Sequence, residues 1–343
     1  MLLAGDVGGT KTLLGLFAPA PERPTAIEVG EFVTLDYDGL AQMIREFLGA
    51  WKVDPRTITS TVIGVAGAVT NQVARLTNVP WLVDAEAITS AVSLRRTLII
   101  NDLEALAYAV PVLEPNEIAV LQQGIAVPNG NAAVIAAGTG LGIAMLHEVD
   151  GRWAPLASEG GHADFAARTP RELDLVRELT RVFGRVGVEH VISGPGLVNI
   201  YQFTHQSFGT GPMITPNTLM PSRLCTGVGS GVRINDLPAR IYICAQENRC
   251  PMCVDAVDMF IAAYGSETGN LALRAFATAG VYVGGGIAPK ILPALQNGLF
   301  LDAFRTKPPM ADILATIPLS VILNPDAALT GAAVRAMELS MER

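Results

Sequence analysis

The chain is short of charge, of cysteine and of long apolar runs. Only 16% of its 343 residues are charged, its formal net charge is −8, and Lys and Arg form no basic run. Nucleic acid is therefore not expected as a partner, because neutralising phosphates needs clustered basic side chains. The longest weakly polar stretch, residues 132–146, holds three glycines and a threonine and is too short to span a bilayer. Asp6 breaks the N-terminal apolar run, so no signal-peptide core is expected and the protein reads as soluble and cytoplasmic. The four cysteines are Cys225, Cys244, Cys250 and Cys253. Cys250 and Cys253 make one C-x-x-C with no second pair. A zinc site needs four ligands, and Cys244 and His205 are the nearest candidates. The expectation is instead reduced thiols at the start of a helix. Neither a GxxxxGK[ST] P-loop nor a GxGxxG dinucleotide fingerprint is present.

What is present is glycine after apolar strands. GDVGGTKTLLGLF at residues 5–17 reads as a strand, a Gly8-Gly9 turn and a returning strand. Glycine there lets backbone N–H groups approach an anion with no side chain in the way. Asp6 at the strand end can face Mg²⁺ through water, since that ion gives up its hydration shell reluctantly. AAVIAAGTGLGIAML from residue 132 repeats the pattern around Gly138-Thr139-Gly140, and VYVGGGIAPKI at 281–291 places Gly284-Gly285-Gly286 between a strand and a helix. Three such turns fit a nucleotide: two can hold phosphates and the third can let the backbone approach the nucleoside.

The elements between them alternate as in α/β folds. Residues 38–51 put Leu40, Met43, Ile44, Phe47 and Leu48 on one helical face. STVIGVA (60–66) and TLII (97–100) read as strands, and Asp84 caps a short helix between them. Residues 169–184 carry a capping box in Thr169 and Glu172, with Pro170 at the first helical position and Gly184 as the stop. Residues 205–236 are rich in Gly, Thr, Ser and Pro and read as a long surface loop or insertion. Helices over 254–279 and 326–339 and a strand over 317–323 complete the chain. A length of 343 residues calls for two lobes.

Asn101-Asp102 falls at the carboxyl end of a strand, where α/β proteins place functional groups. An Asp there can take a proton from a hydroxyl attacking phosphorus; equally, Asp102 can cap the following helix. EGGH at 159–162 offers Glu159 and His162 to sugar hydroxyls, and Glu189 is a third acceptor, or else a solvated helix-end residue.

Together these motifs resemble the bacterial ATP-dependent glucokinases, in the hexokinase branch of the actin-like ATPase fold. The resemblance rests on GDVGGTKT, TNVPW (77–81), INDLEALAYA (100–109), AGTGLGIA (137–144), EGGHADF (159–165), EHVISGPGLVNIY (189–201), CPMC (250–253) and VGGGIAPKI (283–291), which span nearly the whole chain. It implies a two-lobed α/β fold of the actin-like ATPase (ribonuclease H-like) type with a cleft between the lobes. The small lobe is expected over 1–112 with 324–343, and the large lobe over 113–323. It implies Asp102 as the base on the sugar 6-hydroxyl, and Asn101, Asp102, Glu159, His162 and Glu189 as glucose contacts. Gly5, Asp6, Val7, Gly8, Gly9 and Thr10 resemble one phosphate clamp, Gly138, Thr139 and Gly140 the other, and Gly284, Gly285 and Gly286 the adenosine-side turn. ATP with Mg²⁺ is the expected phosphoryl donor, and a homodimer the expected assembly. The zinc-binding Cys-rich motif of the neighbouring repressor, open-reading-frame and kinase group is missing, so the resemblance brings no structural metal. Residues 205–236 depart from the family pattern. A kinase for another hexose or an N-acetylated amino sugar, and a non-enzymatic sugar sensor, are the alternative readings.

Overall fold

Strand β1 (Leu2–Val7) and strand β2 (Lys11–Ala18) pair antiparallel across the Gly8-Gly9 turn, and β3 (Thr25–Val33) adds to β2. The computed structural model describes every residue except 77–78, 150–151, 209–212, 216, 220, 222 and 343; Thr77 and Asn78 of the TNVPW loop therefore lie outside the described residues. Helix α1 (Leu40–Ala50) buries Leu40, Met43, Ile44, Phe47 and Leu48, the face its spacing predicts. Strand β4 (Ser60–Val65) runs parallel to β1. A small sheet of β5 (Val69–Thr70), β6 (Val73–Arg75) and β7 (Leu82–Asp84) leads into α2 (Ala85–Val92). As expected, Asp84 caps that helix, its carboxylate accepting from the N–H groups of Glu86 and Ala87. Strand β8 (Thr97–Asn101) lies parallel to β4 and passes directly into α3 (Asp102–Ala109). The sheet order is β3-β2-β1-β4-β8.

Strand alternation sorts the core of this sheet. Leu3, Val7, Leu14 and Ile63 cluster with α1 on one face. Leu2, Ala4, Leu13 and Val62 cluster on the other with Ala332, Ala333 and Ala336 of the C-terminal helix. These elements belong to a first compact unit of residues 1–118, 144–157 and 324–343; the second comprises 119–143 and 158–323.

Further along the chain come β9 (Ile118–Gln122), β10 (Ala132–Ala137), β11 (Leu141–Val149) and β12 (Arg152–Ser158), then α4 (Pro170–Phe183) and α5 (Gly194–Thr204). A short pair, β13 (Met213–Thr215) and β14 (Thr218–Leu219), precedes α6 (Leu237–Gln246) and the long α7 (Pro251–Ala275). Strand β15 (Gly280–Gly284), α8 (Leu292–Leu295), α9 (Leu299–Arg305), α10 (Ala311–Thr316), β16 (Leu319–Ile322) and α11 (Ala327–Met341) follow. The second sheet has the order β12-β11-β10-β15-β16-β9, with β10, β15 and β16 parallel. Strand β10 is buried along its whole length, as the unbroken run AAVIAA requires of a strand covered on both faces.

Three expectations need correction. Thr169 caps α4 by accepting from the Glu172 N–H at 3.1 Å, and Pro170 and Gly184 bound it as predicted, but the capping box is only half made. The Glu172 carboxylate turns to the backbone N–H and guanidinium of Arg168, whose positive charge outcompetes a neutral amide. Residues 205–236 are not simply a surface loop: Thr218 and Val228 are buried, and Asn199 Nδ2 donates to the Asn217 carbonyl at 2.7 Å. Finally, the cysteine whose sulfur groups within 4.8 Å of Cys250, Cys253 and His205 is Cys225 rather than Cys244, which also packs beside Cys253. Cys225 is brought there because its N–H donates to the Tyr201 hydroxyl at 2.8 Å.

Helices α3 and α11 cross where α11 has no side chain. A Cβ at Gly331 would lie 1.8 Å from the Ala105 carbonyl oxygen and 2.8 Å from the Ala109 nitrogen. Gly331→Ala is expected to lower unfolding stability by about 1–3 kcal/mol, the usual cost of overpacking. It should appear as a lower urea midpoint at unchanged slope; an unchanged midpoint would contradict this close approach.

Candidate active site

Parallel pairing brings the first candidate groups together. Val7 pairs with Val65 and Val65 with Asn101, so β1, β4 and β8 end level. Asp6 and Asn101-Asp102 thus share one carboxyl edge. Asn101 caps α3: its Oδ1 accepts from the N–H of Leu103 at 2.8 Å and of Glu104 at 3.4 Å, and its Nδ2 donates to the Gly67 carbonyl at 3.2 Å. The capping role considered for Asp102 therefore falls one residue earlier. Asp102 is the first residue of the helix, partly exposed, with Oδ1 accepting from the Leu103 N–H at 2.9 Å. Its carboxylate sits where the helix dipole favours negative charge.

Asp6 is held against its own solvation. Burial pushes its carboxyl up to about 6; attraction to Lys11 opposes the rise and repulsion from Asp326 adds to it. The turn beyond it is braced from below by Thr34, which sequence reasoning missed. The buried Thr34 hydroxyl donates to the Gly8 carbonyl at 3.0 Å, and its N–H donates to the Thr10 carbonyl at 3.0 Å. Gly5 and Val7 put no side chain on the turn surface. Val7 is fully buried, and the space beside Gly5 is filled by Ile63 and Leu14. Asp6, Gly8, Gly9 and Thr10 are the accessible members of that run.

In the second unit a polar cluster forms around His162. Its Nε2 is 3.8 Å from Glu159 Oε2 and its Nδ1 is 3.9 Å from Glu189 Oε1. Glu189 lies on the tight turn Val188–His190 and is 8% exposed, which overturns the solvated helix-end reading. Its Oε2 accepts from the Leu141 N–H at 2.7 Å, and its Oε1 accepts from the Asn217 amide. Asn217 comes from the segment read as a loop, and no local pattern marks it. A Cβ at Gly140 would sit 2.4 Å from Glu189 Oε2, so the glycine makes room for this carboxylate as well as shaping its turn.

The second and third glycine turns also meet. Ala136 pairs with Gly284, which puts both turns at one end of β10 and β15. Gly285 has φ +83°, and a Cβ there would lie 2.4 Å from the Ala137 carbonyl oxygen, so only glycine fits. The Gly138 N–H donates to the Gly140 carbonyl at 2.8 Å, and the Gly138 carbonyl accepts from the Gly194 N–H at 2.8 Å. Gly286 and Thr139 are exposed.

The fold and the family match together make this chain a sugar kinase of the actin-like ATPase fold. The glucokinase family model matches residues 3–339. The chain is 36% identical over 346 residues to a glucokinase of a Nostoc species, covering 99% of each. It also resembles the crystal structure of a glucokinase from an Antarctic psychrotroph, at TM-score 0.82 and 28% identity over 98% of each chain. A ROK family glucokinase from Streptomyces griseus, solved in complex with glucose and AMPPNP, shares the fold at TM-score 0.60 and 20% identity, covering 98% of this chain and 99% of that one. The chain belongs to the glucokinase family.

Two expected outcomes follow from this geometry. An acid whose folded-state pKa lies above its unfolded value binds more protons when folded. Its contribution to stability is full below about pH 4 and is lost as pH rises through about 6. Asp6→Asn should therefore melt above the parent at pH 7.5, by up to ~3 kcal/mol of stability, with the gap closing towards pH 4. A variant less stable than the parent at pH 7.5 would contradict the burial penalty. The second outcome concerns Gly138, where a Cβ would meet open space. Gly138→Val should fold normally yet bind ATP more weakly in calorimetric titration, whereas Gly140→Val would also displace Glu189. Parental ATP affinity in Gly138→Val would remove this turn from the nucleotide site.

Proposed function

We propose that this chain transfers the γ-phosphoryl group of ATP to the 6-hydroxyl of glucose, with Asp102 as general base. The observation that carries this reading is the spacing around His162. Carboxylates stand 3.8 and 3.9 Å from its two ring nitrogens, beyond direct hydrogen-bond length. Hydroxyl groups of a sugar suit such a set, because each can donate its one proton to a carboxylate while accepting from an imidazole N–H. A site built from hydroxyl-binding groups also discriminates against analogues that lack them. On this reading Asn101, Asp102, Glu159, His162 and Glu189 hold glucose. The turns at residues 5–10 and 138–140 hold the phosphates, and 284–286 flank the adenosine.

A carboxylate is a weak base at neutral pH. It suffices because phosphoryl transfer is loose and the hydroxyl proton leaves late. Asp102 then needs to orient the hydroxyl and accept its proton, which its place at the start of α3 permits. Asp6 fits Mg²⁺: its carboxyl is driven towards the neutral form by burial and by Asp326, and a cation would restore its charge. Asp6 would hold that ion through water. When bound, Mg²⁺ neutralises charge developing on the phosphoryl oxygens.

A coupled assay with ATP and a panel of hexoses and N-acetylated amino sugars tests the activity. Glucose is expected to give the highest kcat/KM. A different preferred sugar would reassign the substrate, and no turnover with any sugar would favour a sensor. Asp102→Ala should cut kcat on the order of 10²–10⁴-fold while glucose binding stays measurable by calorimetry. Near-parental turnover would leave Asp102 a structural residue only.

A further inference from the structure

We propose that His205, Cys225, Cys250 and Cys253 form a closed tetrahedral site for one zinc ion. The four ligand atoms all lie within 4.8 Å of one another. Cys225 Sγ is 3.7 Å from Cys253 Sγ, and His205 Nε2 is 3.4 Å from Cys250 Sγ and 3.9 Å from Cys253 Sγ. Zinc bonds of about 2.3 Å to sulfur and about 2.0–2.1 Å to nitrogen give tetrahedral edges of about 3.8 Å between sulfurs and about 3.5 Å from sulfur to nitrogen. These three separations match those edges to within about 0.4 Å, and the rest stay within 4.8 Å. They do not match a disulfide, whose sulfurs stand about 2.05 Å apart.

The surroundings point the same way. His205 Nδ1 is 2.8 Å from the Tyr201 carbonyl oxygen. An N–H donated there leaves the Nε2 lone pair facing the three sulfurs, the arrangement that orients a metal-ligating histidine. The Tyr201 ring stacks on His205 with centroids 3.9 Å apart, and its hydroxyl accepts the Cys225 N–H, so one side chain braces two ligands. Cys250 is the N-cap of α7, with Pro251 at its first position and the Cys253 N–H donating to the Cys250 carbonyl at 3.1 Å. That turn points both sulfurs of the C-x-x-C to one side, at the helix end that favours thiolate.

Three thiolates and one imidazole select a borderline-soft ion over Mg²⁺ or Ca²⁺, which take oxygen. Four protein ligands leave no position for water or substrate, so the ion is structural. On binding, three Zn–S bonds and one Zn–N bond form and the thiol protons pass to solvent. The ion would clamp the chain around Cys225 to the end of α5 and the start of α7. That stretch also supplies Asn217 to Glu189.

Metal analysis of the purified full chain, with thiol-specific mercurial release and cobalt substitution, tests the site. One zinc per chain is expected, released by the mercurial. Cobalt should give tetrahedral d–d bands and a thiolate charge-transfer band. Cys225→Ser and Cys250→Ser should lose the ion, whereas Cys244→Ser should keep it. His205→Cys should keep it with a stronger charge-transfer band. Should a serine variant fail to fold, the cobalt spectrum of the parent chain decides alone. The proposal is overturned if the zinc-supplemented parent binds no metal, if cobalt shows no thiolate band, or if Cys244→Ser loses the ion while Cys225→Ser retains it. A Cys225–Cys253 disulfide in the metal-free parent would mark a redox pair in its place.

Discussion

Parallel strand pairing is the constraint from which the candidate site follows. In a parallel sheet every strand ends at the same edge, and that edge is where buried apolar runs give way to exposed backbone. Register puts Asp6 and Asn101-Asp102 on one such edge in the first unit. It puts Gly138–Gly140 and Gly284–Gly286 on one edge in the second. Groups separated by 96 and 146 positions in sequence become neighbours through hydrogen-bond register alone. The glycines are where the chain must leave a packed sheet at once; a Cβ at Gly285 would lie 2.4 Å from the Ala137 carbonyl oxygen.

Glu189 is the corresponding fixed point among the sugar-facing candidates. A buried carboxylate is costly unless its oxygens are hydrogen-bonded. Leu141 satisfies one oxygen through its backbone and Asn217 the other through its side chain. These two donors come from different parts of the chain, so the carboxylate acts as a tie between β11 and the 205–236 segment. The segment that departs from the family pattern is thereby tied to one of the candidate sugar-binding residues. Its Thr218 hydroxyl and the Asn217 carbonyl are anchored on α5, which Gly194 and Ser193 begin beside the same turn.

Features with a period or a local cap were legible in the sequence. The five buried positions of α1, the Asp84 cap, the bounds of α4 and all three glycine turns depend on residues within a turn or two of one another. Strand β3 was not anticipated, because its apolar residues Ile27, Val29 and Val33 face outwards while Glu28 and Glu31 guard an edge. Asn217 and Cys225 were missed for another reason. Side-chain hydrogen bonds and a thiol cluster impose no hydrophobic period, and their partners lie 28 residues away in both cases. Cys244, nearer to Cys250 in sequence, also packs beside Cys253, but it is Cys225, braced by Tyr201, that groups with His205, Cys250 and Cys253. The half-made capping box has a local cause: Arg168, just outside the motif, takes the Glu172 carboxylate from the Thr169 N–H.

The contact between Gly140 and Glu189 has a consequence for how the proposed nucleotide and sugar sites communicate. Gly140 belongs to the turn assigned to phosphate, and the next residue, Leu141, donates its N–H to the carboxylate assigned to sugar. That hydrogen bond, 2.7 Å long, is the link by which a shift of the turn would bear on the carboxylate, and a Cβ at Gly140 would intrude on it by lying 2.4 Å from the same oxygen. A turn drawn tight by phosphate would set the carboxylate oxygen, and a sugar pulling on the carboxylate would set the turn. Any free energy one ligand gains from this arrangement is then available to the other in equal measure, because binding linkage is reciprocal. The coupling needs no long-range pathway. It would be carried by one backbone hydrogen bond and the absence of a methyl group, within two consecutive residues and a single glutamate.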